Sequence, residues 1–237
     1  MKPIRKVSLV FGLFFAGTFI FSIPALIFYN PLFNNKDYIF LGGFDIRISM
    51  GAFFEIMLAI CNIATAIVIF PIFKRVNETV SLGYVAVRIV ESVMILAGVI
   101  CLMSVMTFRA DFLPGNDTQE LYFIRRLFLV FHDWTFLLGP QFCAGFGNGI
   151  LLGYLMYRSG VIPTRMALLG LIGGPLAFIG GILVLFGVLE QMSTGLFALT
   201  SIEIIWELSI TIYAIFKGFK PSPLVDLEVK QALSIDR

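Results

Sequence analysis

The sequence predicts an all-α integral membrane protein, built as a bundle of six transmembrane helices. Apolar residues make up 59% of the chain and charged residues only 14%, whereas soluble globular chains are nearer half apolar and a quarter charged. The apolar residues are also gathered into six runs, each long enough to cross the hydrocarbon core, which takes about 20 residues. Because the backbone finds no water in lipid, runs of this length form helices.

The six runs define a single transmembrane domain over residues 1–220, followed by a short cytoplasmic tail over residues 221–237. The first run is longer than the apolar stretch of about 7–15 residues in a signal peptide, and no A-x-A-like cleavage site closes it. We therefore interpret it as a retained helix. The spans are expected at about 7–29, 51–73, 81–108, 135–157, 166–189 and 192–216.

Basic residues are distributed unevenly between the two sides of the predicted bundle. Eleven lie on the side of the two chain ends and five on the opposite side. Because Lys and Arg concentrate in cytoplasmic loops, both termini are predicted to be cytoplasmic. The eleven are Lys2, Arg5, Lys6, Lys74, Arg75, Arg158, Arg165, Lys217, Lys220, Lys230 and Arg237, and the five are Lys36, Arg47, Arg109, Arg125 and Arg126.

The segment before the fourth span predicts an interfacial helix. Asp117 and Glu120 have the spacing of a capping box at a helix start, and the helical pattern continues through Arg125-Arg126 into the fourth span. One straight helix through both parts would be about 60 Å long at about 1.5 Å per residue, more than a bilayer needs. We expect the first part to lie along the interface and to turn inward near His132-Asp133-Trp134, or to bend at Gly139-Pro140.

Ionisable residues inside the apolar runs are the strongest functional clue. A charged side chain at the bilayer centre costs about 2.5–3.5 kcal/mol on insertion scales, so such residues face a protein interior. Arg88 and Glu91 are three residues apart, and Glu203 and Glu207 are four apart, so each pair shares a helix face. Counting from the helix ends at helical rise places Glu91 and Glu207 at one depth.

Arg88, Glu91, Glu203 and Glu207 therefore predict a central polar layer within the bundle, and other polar residues are expected to belong to it. Asn62 and Gln141 belong to the same middle zone, whereas the depth of His132 is left open between the membrane interior and the headgroups. No second basic residue lies in the spans, so Glu203 is expected to be protonated or to face a wet cavity. The candidate ligand- or ion-binding residues are Arg88, Glu91, Gln141, Glu207, Asn62, Glu203 and His132.

Several classes of function are disfavoured. One His in the whole chain cannot build a multi-His metal site, and neither H-E-x-x-H nor G-x-S-x-G occurs. We predict no catalytic residue, no metal site and no cofactor. A net charge of +2 without a basic cluster indicates no nucleic-acid partner. Glycines repeat in the fourth and fifth spans, as in closely packed helices, and the same faces are candidates for homo-oligomer contacts.

Several short stretches form an ordered set along the chain. They are Tyr84, Arg88 and Glu91, then His132, Gly153-Tyr154-Leu155, Arg158-Ser159-Gly160-Val161-Ile162-Pro163, Leu169-Gly170, and Glu207 with Lys217-Gly218-Phe219. Together they resemble a bacterial membrane-protein family catalogued as domain of unknown function 4386, from the second span onward. The resemblance implies a multi-pass protein of the bacterial inner (plasma) membrane and no transferable activity. Arg88, Glu91, His132 and Glu207 match recurrent polar positions of that family, whereas Glu203 falls where a small residue or Pro is usual.

Three interpretations of the polar layer stay open, and the lipid bilayer is the one partner common to all. In the first, the layer binds or conducts a small ligand, ion or proton in a transporter-like or sensor-like protein. In the second, the buried ion pair only fixes the packing of a structural or regulatory subunit, with Asn62 and Gln141 as interhelical hydrogen bonders. In the third, an intramembrane enzyme uses Glu207 or His132 as general acid or base.

Overall fold

A computed structural model of the chain describes residues 3–111 and 118–221. Over these residues the ordered elements are all helices, and six helices are long and apolar enough to cross a membrane. The predicted fold class is therefore confirmed. Asp117 of the predicted capping box, the basic residues Lys2, Lys230 and Arg237, and all of the tail after residue 221 lie outside the described residues.

The helices extend beyond most of the expected spans, because each includes residues outside the apolar run that initiate or end it. The fifth and sixth are exceptions, since the fifth ends at Leu185, before the expected 189, and the sixth begins at Thr194, after the expected 192. The elements are α1 (Pro3–Asn34), a 3₁₀-helix (Lys36–Leu41), α2 (Ile46–Phe73), α3 (Glu78–Ala110), α4 (Thr118–Phe136), two π-helical segments (Leu137–Gln141 and Ala144–Leu152), α5 (Gly153–Ser159), α6 (Thr164–Leu185), α7 (Thr194–Ile212) and a third π-helical segment (Tyr213–Lys217).

Polar side chains mark the starts of three helices. Asp45 accepts a hydrogen bond from the backbone N–H of Arg47 at the start of α2, and Asn77 and Ser193 cap α3 and α7 in the same way. Such caps satisfy N–H groups that have no partner within the helix. The Arg47 side chain also binds Asp45, and these hydrogen bonds lower the pKa of Asp45 to about 2.

The fourth span is a helical run without an interruption at His132-Asp133-Trp134. α4 continues through these residues to Phe136, and the helical geometry changes at Leu137–Gln141, the segment that contains Gly139-Pro140. This segment contains the second of the two places at which a bend is predicted, and the bend itself stays a prediction. A π-helical turn is wider than an α-helical turn and is frequent at functional sites. α4 packs against α3, and its position relative to a membrane interface stays a prediction.

Two apolar clusters occupy opposite ends of the bundle. The terminal-end cluster contains Phe11, Tyr84 and Trp206 and lies near the chain ends, where Arg5 donates to the carbonyl of Ala214 at 2.8 Å. The loop-end cluster lies near the 3₁₀-helix and contains Tyr29, Tyr38, Ile48 and Leu102. Along each of α1, α2 and α3 the two clusters leave a middle stretch between them, and the predicted polar residues Asn62, Arg88 and Glu91 fall in the middle stretches of α2 and α3.

Candidate functional site

The α3 side of the central polar layer is a closed ring of three side chains. Arg88 Nη1 donates to Glu91 Oε2 at 2.7 Å, and Arg88 Nη2 donates to Asn62 Oδ1 at 2.6 Å. Asn62 Nδ2 completes the ring by donating to Glu91 Oε1 at 3.2 Å. Arg88 is 2% exposed and Glu91 6%. A buried ion pair is stable only when its hydrogen bonds are complete, and this ring meets that requirement.

Asn148, in the second π-helical segment, connects the third, fourth and last spans. Its Nδ2 donates to Glu207 Oε1 at 2.6 Å, and its Oδ1 accepts from the Tyr84 hydroxyl at 3.3 Å. Trp206 Nε1 donates to the Asn148 backbone carbonyl at 3.2 Å. Glu207 is therefore held by an amide, whereas the guanidinium of Arg88 is directed to Glu91.

Glu203 is in a different situation from the other carboxylates. It is 2% exposed, and neither of its carboxylate oxygens has a hydrogen-bond partner. Its Oε2 lies against backbone: a Cβ added to Gly149 would lie 2.8 Å from this oxygen, and one added to Gly173 would lie 3.0 Å from it. The glycines of the fourth and fifth spans therefore bring their helices together and also leave room for a carboxylate.

A cavity of about 310 Å³ lies within this layer and is bordered by both halves of it. Its charged wall residues are one guanidinium, from Arg88, and three carboxylates. Aromatic and aliphatic side chains form much of the remaining wall, so the cavity combines negative charge with apolar surface. The wall is formed by Thr18, Phe19, Ser22, Leu58, Asn62, Arg88, Glu91, Phe136, Pro140, Gln141, Ala144, Asn148, Ala177, Thr200, Glu203, Ile204 and Glu207.

Six of the seven predicted site residues line this cavity, and His132 does not. Gln141 is one of the six, and its Nε2 donates to the carbonyl of Ala177 at 2.9 Å. His132 borders a second cavity of about 420 Å³ toward the loop end. Its ring lies 5.2 Å from that of Phe33 and 6.4 Å from that of Phe136. Phe136 lines both cavities.

Sequence reasoning left four polar wall residues out of the candidate set. Asn148 follows Gln141 by seven residues, or about two helical turns, which is a usable signal for a shared face. Thr18 and Ser22 are four residues apart in the first span and give the same signal. Thr200 precedes Glu203 by three residues. Each is a small or uncharged polar residue, so the cost of placing it in lipid is low and attracts less attention than that of a charge.

The side chains that could ligate a metal ion do not form a metal centre among the described residues. Over residues 3–111 and 118–221, no group of three or more His, Cys, Asp or Glu side chains is placed so that it could hold a metal ion. Cys61 and Cys143 are buried and unpaired, and buried thiols of this kind pack as small apolar groups.

Comparison with known proteins identifies a family. A family model described as "Domain of unknown function (DUF4386)" matches residues 10–218. This confirms the resemblance found in the sequence and extends it into the first span. No curated protein and no solved structure matches the chain.

Proposed function

The chain belongs to the DUF4386 family, and we propose that it binds or conducts a small ligand, ion or proton through the central cavity. The role is transporter-like or sensor-like and not catalytic. In this proposal the protein resides in a bacterial inner membrane with both termini in the cytoplasm. The basic residues on the side of the chain ends support this orientation.

The observation that carries the proposal is the carboxylate of Glu203. It is buried and has no hydrogen-bond partner, yet it borders a cavity of about 310 Å³. Buried polar groups in proteins are almost always paired, and each exception calls for an explanation such as a functional role. An unpaired carboxylate contributes nothing to helix register, so a purely structural layer gives no reason to retain it.

The two cavities also favour passage of a ligand. The cavity at the loop end and the central cavity share Phe136 in their walls. Phe136 is the last residue of α4 and directly precedes the π-helical segment that contains Pro140. Phe136 is therefore common to the two walls at a point where the helix geometry changes, which supports exchange of a ligand between the two cavities.

The structural alternative is favoured by the α3 side of the layer. The ring of Arg88, Glu91 and Asn62 has its charged oxygens and donors paired within the protein. Such a ring is sufficient to fix the register of α2 against α3. In that alternative the cavity is a sealed packing defect that exchanges nothing with water.

Cysteine accessibility separates the two functions. In a background with Cys61, Cys101 and Cys143 replaced by Ala, Thr200→Cys places a thiol on the cavity wall. Intact membrane vesicles are treated with two small water-soluble methanethiosulfonates, one cationic and one anionic, and labelling is measured by mass spectrometry. We expect at least one reagent to label the thiol, because the reactive thiolate forms only where water has access.

The matched control is Ile205→Cys on the same helix, whose native side chain is 54% exposed on the outer face of the bundle. In the membrane this thiol faces lipid and stays unlabelled until the protein is denatured. Labelling of the Thr200→Cys thiol above this control supports an exchanging site. If both thiols stay unlabelled in intact vesicles, the cavity is sealed and the structural alternative replaces the proposal.

A further inference from the structure

We infer that the ligand of the central cavity is a small organic cation with an apolar body, which takes the place of a proton on Glu203. This inference rests on the proposed function and names the class of ligand. It follows from the charges on the cavity wall, from the chemistry of the uncharged wall, and from the absence of a partner for one buried carboxylate.

The charged groups of the wall favour a cation. Arg88 and Glu91, both on α3, neutralise each other at 2.7 Å. This leaves Glu203 and Glu207, both on α7. The residues that α1, α2, the fourth span and α6 contribute to the wall are uncharged. An anion is disfavoured at Arg88, because Glu91 already neutralises the guanidinium and Nη1, Nη2 and Nε each already donate a hydrogen bond to Glu91 or Asn62.

The uncharged part of the wall favours an organic cation over a metal ion. Phe19, Leu58, Phe136 and Ile204 present apolar surface, which a hydrated ion cannot use. Aromatic rings attract alkylammonium groups through their faces. The volume of about 310 Å³ is at the lower end of the range for small-molecule sites, roughly 300–1,000 Å³. The described residues also hold no metal-binding group of three side chains.

Exchange with a proton follows from the isolation of Glu203. An ionised carboxylate that is buried without a partner is so unfavourable that the group takes up a proton instead. When an ammonium cation enters, the O–H bond of Glu203 breaks, the proton leaves to water and the carboxylate pairs with the cation. One positive charge replaces another, so the charge of the site is unchanged. The other ionisable groups on the wall are Arg88, Glu91 and Glu207.

Calorimetric titration of the purified full-length chain in detergent tests this exchange, with benzyltrimethylammonium as the probe. We expect about one proton to be released per cation bound, measured with a pH indicator in weak buffer. From about pH 6 to about pH 8 the affinity should then rise roughly tenfold per pH unit, because binding is linked to loss of one proton. Benzyl alcohol and benzoate, the neutral and anionic controls, should bind at least about tenfold more weakly, a difference of about 1.4 kcal/mol.

Glu203→Gln and Glu55→Gln form a matched pair of variants. Both replace a buried membrane carboxylate, but Glu55 is held by the Tyr29 hydroxyl at 3.0 Å and is not on the cavity wall. Glu203→Gln should abolish proton release and the pH dependence, and Glu55→Gln should leave both unchanged. Proton release by the wild-type protein tests the exchange of a cation for a proton even if a variant fails to fold.

Tighter binding of benzoate, cation binding without proton release, or unchanged proton release in Glu203→Gln would each overturn the inference. If none of the three probes binds while Thr200→Cys is labelled, the inference is wrong but the proposed function stands. If Thr200→Cys is also unlabelled, both fail together.

Discussion

The two sides of the central polar layer place carboxylates at similar burial in opposite surroundings. Glu91, on the α3 side, is 6% exposed, and each of its oxygens accepts a hydrogen bond. Glu203, on the α7 side, is 2% exposed, and neither oxygen accepts one. Burial alone therefore does not distinguish a structural charge from a functional one. The difference lies in the partners: the α3 side is complete within the protein, and the α7 side is not.

The partner of α7 explains why Glu203 stays incomplete. The Glu91 carboxylate on α3 lies beside the Asn62 side chain, which donates a hydrogen bond to it. The Glu203 carboxylate on α7 lies beside Gly149 and Gly173, which have no side chain to donate one. The glycines give the carboxylate space but no compensation. Proteins keep such local violations of polar pairing mainly at functional sites, and this contrast can be tested by changing one side at a time.

The largest change in unfolding free energy is expected on the α3 side, where the hydrogen bonds are complete. Arg88→Met leaves the Glu91 carboxylate buried without its cation, which should lower the free energy of unfolding by about 3–5 kcal/mol. Replacing both members, Arg88→Met with Glu91→Met, removes the uncompensated charge and should be nearly neutral. Equilibrium unfolding in mixed micelles measures both variants.

The double-mutant cycle built from these variants and Glu91→Met alone supplies the control. A strongly non-additive cycle is expected, because the two side chains are in direct contact at 2.7 Å. Strict additivity would mean that the pair does not act as a unit, and the distinction between the two sides would then lose its energetic basis.

The sequence predicted which residues belong to the central polar layer better than it predicted the hydrogen bonds between them. The spacing of Arg88 and Glu91, and that of Glu203 and Glu207, placed each pair on one helix face, and the cavity wall includes all four. Asn62 closes a ring with Arg88 and Glu91, and this contact depends on the register of α2 against α3. This register is set by packing over the whole helix length, and no local spacing encodes it.

Three further features could not be predicted, for different physical reasons. The π-helical geometry of Ala144–Leu152 moves residues around the helix axis by an amount that α-helical counting does not anticipate. Neither the helical spacing nor the family resemblance determines the depth of His132, and its side chain lies on the loop-end cavity instead of the central one. The glycine repeat predicted close packing, but the room it makes for Glu203 depends on the approach of a third helix.

A smaller effect is expected from filling the space beside Glu203. In Gly149→Ala the new Cβ would collide with the backbone of Gly174 and approach Glu203 Oε2 to 2.8 Å. Because backbone cannot rotate away, we expect a loss of about 1–3 kcal/mol in unfolding free energy, as in other overpacked cores. Thermal unfolding in detergent is the measurement.

Gly83→Ala is the matched control on α3. Its nearest contact would be Leu151 Cδ1 at an ordinary 3.7 Å, and alanine is favoured over glycine in a helix interior by up to about 1 kcal/mol. This variant should therefore be neutral or slightly stabilised. Equal losses in the two variants would indicate a general intolerance of the bundle to added volume and not a specific site beside Glu203.

The smallest expected change in unfolding free energy is a gain in stability and not a loss. Glu203→Met removes an unpaired polar group from a buried position and keeps the length of the side chain, so it should stabilise the protein by about 1 kcal/mol. The same change at position 91 should destabilise it, because Arg88 then loses its carboxylate. Both variants are compared by equilibrium unfolding under identical conditions.

This inversion of sign is the sharpest form of the comparison. A residue that lowers stability where it stands contributes something other than folding energy, and a destabilised site of this kind often accompanies activity. If Glu203→Met is instead as destabilising as Glu91→Met, Glu203 has a stabilising partner in the membrane, such as a bound water or ion. The α7 side would then be complete in the same sense as the α3 side, and the cavity would belong to the packing of the bundle.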